Sequence, residues 1–160
     1  MSVSRCAPLG GLLSTLTLIT LTLPMSVGAA QPAASNTMSD GKLAACPSAP
    51  HCVSSDDPDA KHQIPALRIK GDPANAWAAL KTELDKLPRT KTVEDRPDYR
   101  RAVVTTRLLR FKDDVEFQLR QERGEIAMRS TSNVGYYDFN VNRKRLEAIR
   151  SALQQQGVVE

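Results

Sequence analysis

Aromatic side chains make up only 4% of this 160-residue chain, and histidine occurs twice. The aromatic shortage argues against a carbohydrate-cleaving groove, which is usually walled by such rings. No nucleophile elbow, zinc-binding helix motif or glycine-rich phosphate loop occurs. The apolar run near the N-terminus falls short of the roughly 20 residues that a bilayer core requires. Lys and Arg outnumber Asp and Glu by only 22 to 18. So mild an excess speaks against nucleic acid as a partner and predicts solubility with a modest preference for anionic partners.

What stands at the N-terminus is a three-part leader. Arg5 precedes the apolar stretch Leu12 to Leu23, and Pro24 and the small residues Ser26 to Ala30 follow it. That layout predicts a signal peptide over residues 1–30, removed on export to the periplasm or cell envelope. No twin arginine precedes the run, so the general secretory route is expected. An uncleaved anchor is the rival, weakened by the shortness of the run and its Ser and Thr content. Cleavage would discard Cys6 and Arg5, leaving 21 basic against 18 acidic residues, a net +3. The remaining chain, roughly 130 residues, suits one domain with one core.

Residues 31–45 are rich in Ala, Ser, Pro, Asn and Gly and read as a flexible tether. Ser39-Asp40-Gly41-Lys42 matches the Ser-x-x-Lys pattern of some acyl enzymes but lacks the helix that this chemistry requires. A single domain is expected over 46–157. Pro47, Pro50 and Pro58 keep its first stretch extended or turned, and Ile64 to Lys70 alternates weakly as a strand that Pro65 would confine to a sheet edge. Asp72 and Pro73 open a helix whose stripe is Trp77, Leu80, Leu84 and Leu87, with Pro88 closing it. Burying that stripe would contribute roughly 6–10 kcal/mol before entropy is subtracted.

Four extended segments follow: Thr90 to Asp95, Tyr99 to Leu109, Asp113 to Gln121 and Glu125 to Ser132. Val115, Phe117 and Leu119 share one face of the third, and Asp114, Glu116 and Gln118 the other. Gly124 supplies the positive φ of a hairpin at Gln121 to Gly124. A last helix begins near Asn142, buries Leu146, Ile149 and Leu153, and stops at Gly157, with Val141 placed to staple against Leu146. The order predicts an α+β domain: an antiparallel sheet of about four to five strands with two helices on one face.

Cys46 and Cys52 lie six positions apart in a Pro-rich stretch. In an exported chain they form a disulfide worth roughly 2 kcal/mol. The rivals are a metal site of Cys46, His51, Cys52 and His62, whose spacing fits no standard zinc pattern, and a redox pair, normally Cys-x-x-Cys. Both histidines read as solvated loop residues. On the hairpin, Leu119 opposite Ile126 sets Glu116 against Arg129 and Asp114 against Thr131. That pair is either solvated or the floor of a ligand site with Arg107 or Arg101. Ser130, Asn142, Arg143 and Arg145 form a third candidate. Cations in a first helical turn oppose the helix dipole, so either Asp138 compensates or an anion is held there.

Three blocks together resemble the family called domain of unknown function 1499: Cys46 to Ser55, Arg110 to Phe117, and Arg129-Ser130 through Gly135, Asp138 and Asn142 to Arg145. The likeness spans roughly Leu43 to Leu153. His51 departs from it, standing where the family pattern has Asn. The resemblance implies a compact domain, often exported or membrane-linked, with no established activity, cofactor or catalytic residue.

Three functions are therefore in play. The first is a non-catalytic envelope domain binding a small anionic or amphipathic ligand, or an envelope protein; no cofactor or metal is expected. The second is a hydrolase-type enzyme using Asp113, Asp114 or Glu116 with Arg129. The third is a peripheral binder of anionic lipid through Arg143, Lys144, Arg145 and Arg150.

Overall fold

A six-stranded antiparallel sheet organises the computed structural model, which describes residues 41–135 and 138–160. The leader and the first part of the expected tether lie outside the described residues. The strands are β1 (Cys52–Ser54), β2 (Leu67–Arg68), β3 (Thr90–Asp95), β4 (Tyr99–Thr105), β5 (Lys112–Arg120) and β6 (Glu125–Ser132); the helices are α1 (Pro73–Lys86) and α2 (Val141–Gln155). The order across the sheet is β1-β6-β5-β4-β3, with β2 also paired to β6. The expected α+β architecture is observed, with more strands than anticipated.

Hydrophobic periodicity explains the larger elements. Trp77, Leu80 and Leu84 of α1 and Leu146, Ile149 and Leu153 of α2 pack on Val115, Phe117, Leu119, Ile126 and Met128. Both helices therefore cover one face of the sheet. Asp72 caps α1 by accepting the Ala74 amide at 2.9 Å, and Leu87 caps its end just before Pro88. Gly124 adopts φ 60° after the 3-10 turn Gln121–Arg123 and so closes the hairpin. The hairpin register is the expected one, with Leu119 opposite Ile126 and Glu116 opposite Arg129. The β3–β4 pairing shifts register between Thr92 and Glu94.

Two local expectations differ, and one short strand adds to them. β1 falls inside the stretch expected to be extended or turned; at three residues it carries too few side chains to show a period. β4 stops at Thr105 instead of continuing to Leu109. Thr106 donates its amide to the Phe111 carbonyl and accepts the Phe111 amide on its hydroxyl, which closes a loop. Gly41 to Ala45, expected as the end of the tether, is docked on the sheet. Leu43 is buried with Tyr99 and Ala127 on the face opposite the helices. Arg120 donates to both Asp56 oxygens and to the Gly41 carbonyl, and the Leu43 amide donates to Asp56 at 2.7 Å. Among the described residues, no helix is long and apolar enough to cross a membrane.

Candidate functional site

Alternation along β5 sends Asp114 and Glu116 to the face away from the helices. Glu116 and Arg129 meet there at 2.5 Å with side-chain exposures of 1% and 4%. Tyr99 donates its hydroxyl to the second Glu116 oxygen at 2.8 Å. Asp114 pairs with Arg101 at 3.0 Å. The pair is thus neither solvated nor an open floor. Both Glu116 oxygens are engaged, which removes support for an acid–base role. A shallow cleft does reach Arg129, lined also by Ala44, Ala45, Cys46, Pro47, His51, Thr131, Ser132 and Asn133, without Asp114 or Glu116.

A disulfide joins Cys46 and Cys52. With the sulfurs consumed, the zinc rival has no thiolates. His62 is buried, not solvated: its Nδ1 stands 2.9 Å from the Cys52 carbonyl, which can only accept, so Nδ1 carries the proton. Burial works against the Asp56 carboxylate, but the Arg120 hydrogen bonds, the Leu43 amide and the charges of Arg120 and Lys42 outweigh it and hold its pKa below the ordinary value. Hydrogen bonding to Asp56 in turn raises the Arg120 guanidinium.

Beneath the start of α2 lies a second polar network. Arg145 donates to Asp113 at 2.7 Å, to Asn142 Oδ1 at 2.7 Å and to the Ser130 hydroxyl oxygen at 3.0 Å. Ser130 donates to Asn142 Oδ1 at 2.6 Å. Asn142 Nδ2 reaches the His51 carbonyl, Ser132 and Asp138. Asp138 also accepts the Asn140 and Asn142 amides, at 2.9 and 3.1 Å. This carboxylate supplies the compensation that the cation-rich first turn requires. Three of the expected residues, Ser130, Asn142 and Arg145, therefore converge. Arg143 instead donates to the Lys61 carbonyl, and Arg150 to those of Pro65 and Ala66. The four cations proposed for lipid form no common outward patch.

Beside this network opens a cleft of about 340 Å³ between the β4–β5 loop and the segment leading to α2. Leu108, Leu109, Phe111, Val134, Phe139 and Val141 line it. They are six of the seven exposed large hydrophobic residues among those described. Val141 is thus partly exposed in the cleft, outside the core that holds Leu146. Asp113, fully buried, also lines it, and its Oδ1 has no hydrogen-bond partner. Arg107 stands at the margin. Arg110, Phe139 and Asn140 hold positive φ in these same two loops, a backbone state that side chains resist.

Sequence periodicity did not reveal these walls. The one available signal was the adjacent pair Leu108-Leu109, because neighbours on a strand face opposite ways and one must leave the core. Chemically the cleft offers apolar contact, one free carboxylate acceptor and a guanidinium. Among the described residues, no cluster of three or more His, Cys, Asp or Glu side chains could hold a metal ion.

No curated protein and no solved structure matches this chain. A family model described as protein of unknown function DUF1499 does match, over residues 42–153, the span that carries both polar networks and the cleft. The chain belongs to the DUF1499 family.

Proposed function

We propose that this is an exported, non-catalytic binding domain that takes an amphipathic ligand in the cleft beside Asp113. The carrying observation is the gathering of nearly all exposed large hydrophobic side chains around one concavity. Monomeric proteins seldom leave such a group uncovered without a partner. The volume of about 340 Å³ lies within the range of small-molecule sites. An apolar tail fits the walls. A head group carrying a hydroxyl or ammonium would satisfy the free oxygen of Asp113, whose charge Arg145 already balances. The Cys46–Cys52 bond supports an oxidising address.

Displacement of an environment-sensitive apolar dye from the purified chain tests this. Dodecanol and dodecylamine should displace it, and dodecanoate should do so less well. Val134→Trp, which fills the cleft from an exposed position, should lower dye binding at least tenfold. Dye binding equal in parent and variant, or no displacement by any dodecyl probe, would overturn the proposal.

A further inference from the structure

We infer that the two loops walling the cleft also dock the domain onto an anionic lipid surface, with their apolar tips entering the headgroup layer. This goes beyond ligand binding in the cleft. A cleft ligand covers only side chains that face inward. Leu108 and Phe139 are 89% and 81% exposed, so most of their surface projects outward. A projecting side chain needs a medium that adapts to its shape, and the acyl boundary of a bilayer does so.

Charge selects the kind of surface. The β4–β5 loop and the first residue of β5 read Arg107-Leu108-Leu109-Arg110-Phe111-Lys112, three cations interleaved with three apolar residues. Arg89 lies beside Arg107 and Arg110 around one shared depression. The nearby acids are already committed. Asp113 is buried against Arg145, and Asp138 is engaged by Asn140 and Asn142. Asp138 keeps its charge, since neutral amides bond it, but Arg89, Arg107, Arg110 and Lys112 outnumber it and leave these tips net positive. Long guanidinium side chains can meet phosphates while neighbouring Leu and Phe reach past them. A lipid surface that is anionic satisfies both features at once.

Flotation of the full chain with phosphatidylcholine vesicles, with and without phosphatidylglycerol, tests the inference. Binding should require the anionic lipid and weaken as salt rises. Arg107→Gln and Arg110→Gln should each weaken it about fivefold. The pair Leu108→Asp and Phe139→Asp should cut flotation on anionic vesicles to the level seen on phosphatidylcholine alone while leaving thermal unfolding unchanged, since both positions are exposed. The N-terminal apolar run is common to all variants, so differences between them report on the loops. A direct readout is Leu108→Trp, whose emission should shift to the blue on anionic vesicles against the constant background of buried Trp77.

An unshifted Leu108→Trp emission, or flotation of the double aspartate variant like the parent, would overturn docking through these tips. Failure on vesicles with retained displacement by dodecanol would overturn the docking and leave the cleft proposal standing. Retained flotation without displacement by any dodecyl probe would sink the cleft proposal alone.

Discussion

Arg145, the fifth residue of α2, reaches Asp113 at the start of β5, 2.7 Å from guanidinium nitrogen to carboxylate oxygen. The contact joins a helix to the middle of the sheet through charge, beside the apolar packing of Leu146, Ile149 and Leu153. Asp113 is fully buried, and Arg145 is the cation that pairs it. The same guanidinium fixes Asn142 and Ser130, and Asn142 holds the His51 carbonyl. One cation thus links α2, β5, β6 and the disulfide loop, and it does so beneath the proposed binding cleft.

Arg145→Met should therefore cost about 3–5 kcal/mol, because it leaves Asp113 charged, buried and unpaired. Adding Asp113→Asn should recover a large part of that loss. Urea unfolding of the parent, the single variants and the double variant measures the coupling. Additive losses would show that the two side chains do not depend on each other.

Asp56 makes stability sensitive to acid. Its pKa in the folded chain lies below the ordinary 3.8, despite burial, because of the Arg120 hydrogen bonds and the Leu43 amide. A carboxylate lowered by folding contributes its full stabilisation above the unfolded pKa and loses it as pH falls through the folded one. Thermal unfolding should therefore shift to lower temperature as pH drops below about 4, and Asp56→Asn should flatten that part of the curve. The variant should also be less stable at neutral pH. A profile identical to the parent would remove Asp56 from the acid response.

Removing the disulfide should cost about 2 kcal/mol, the value for closing a small ring. Cys46→Ser with Cys52→Ser separates this contribution from the presence of a lone thiol. Alkylation of the unreduced, unfolded parent, followed by mass measurement, should leave both sulfurs unmodified.

Tyr99→Phe should destabilise the chain by about 1–3 kcal/mol, since Glu116 Oε2 loses the donor that lies 2.8 Å away. Chemical denaturation reads the loss. An unchanged midpoint would mean that water replaces the hydroxyl at no cost.

The register of the central hairpin was legible because alternation along Asp113 to Leu119 and a single Gly124 leave one pairing that buries Val115, Phe117 and Leu119 together. α1 was legible from Asp72, Pro73 and the Trp77–Leu84 stripe. β1 was not, because three residues carry no period and their place is set by Thr131, Ser130 and Arg129 across the ladder. Burial of Glu116 and Arg129 was equally invisible. It depends on Leu43 and its neighbours folding back over the polar face, an arrangement fixed by Asp56 and Arg120, 64 residues apart. Alternation says which side chains share a face and is silent on what later covers it. Of the expected site residues, Ser130, Asn142 and Arg145 meet because α2 starts directly above β6. Arg107 left its expected strand when Thr106 closed the loop.

The sharing of β6 by two short strands bears on solubility. β1 takes the part of its outer edge at Arg129 to Thr131, and β2 the part at Glu125 and Ile126. An exposed strand edge is a template on which a second molecule can add by backbone pairing. Here that template is occupied within the molecule. The opposite edge belongs to β3, where the register shift at Thr92/Glu94 interrupts the ladder and Lys91, Glu94 and Asp95 bring charge. On the β6 side the margin then passes to β1 and β2, only three and two residues long, whose outer groups at Ser54 and Arg68 already bond His62, Ile64 and Glu160. Each margin of the sheet thus offers little backbone for growth into fibrils.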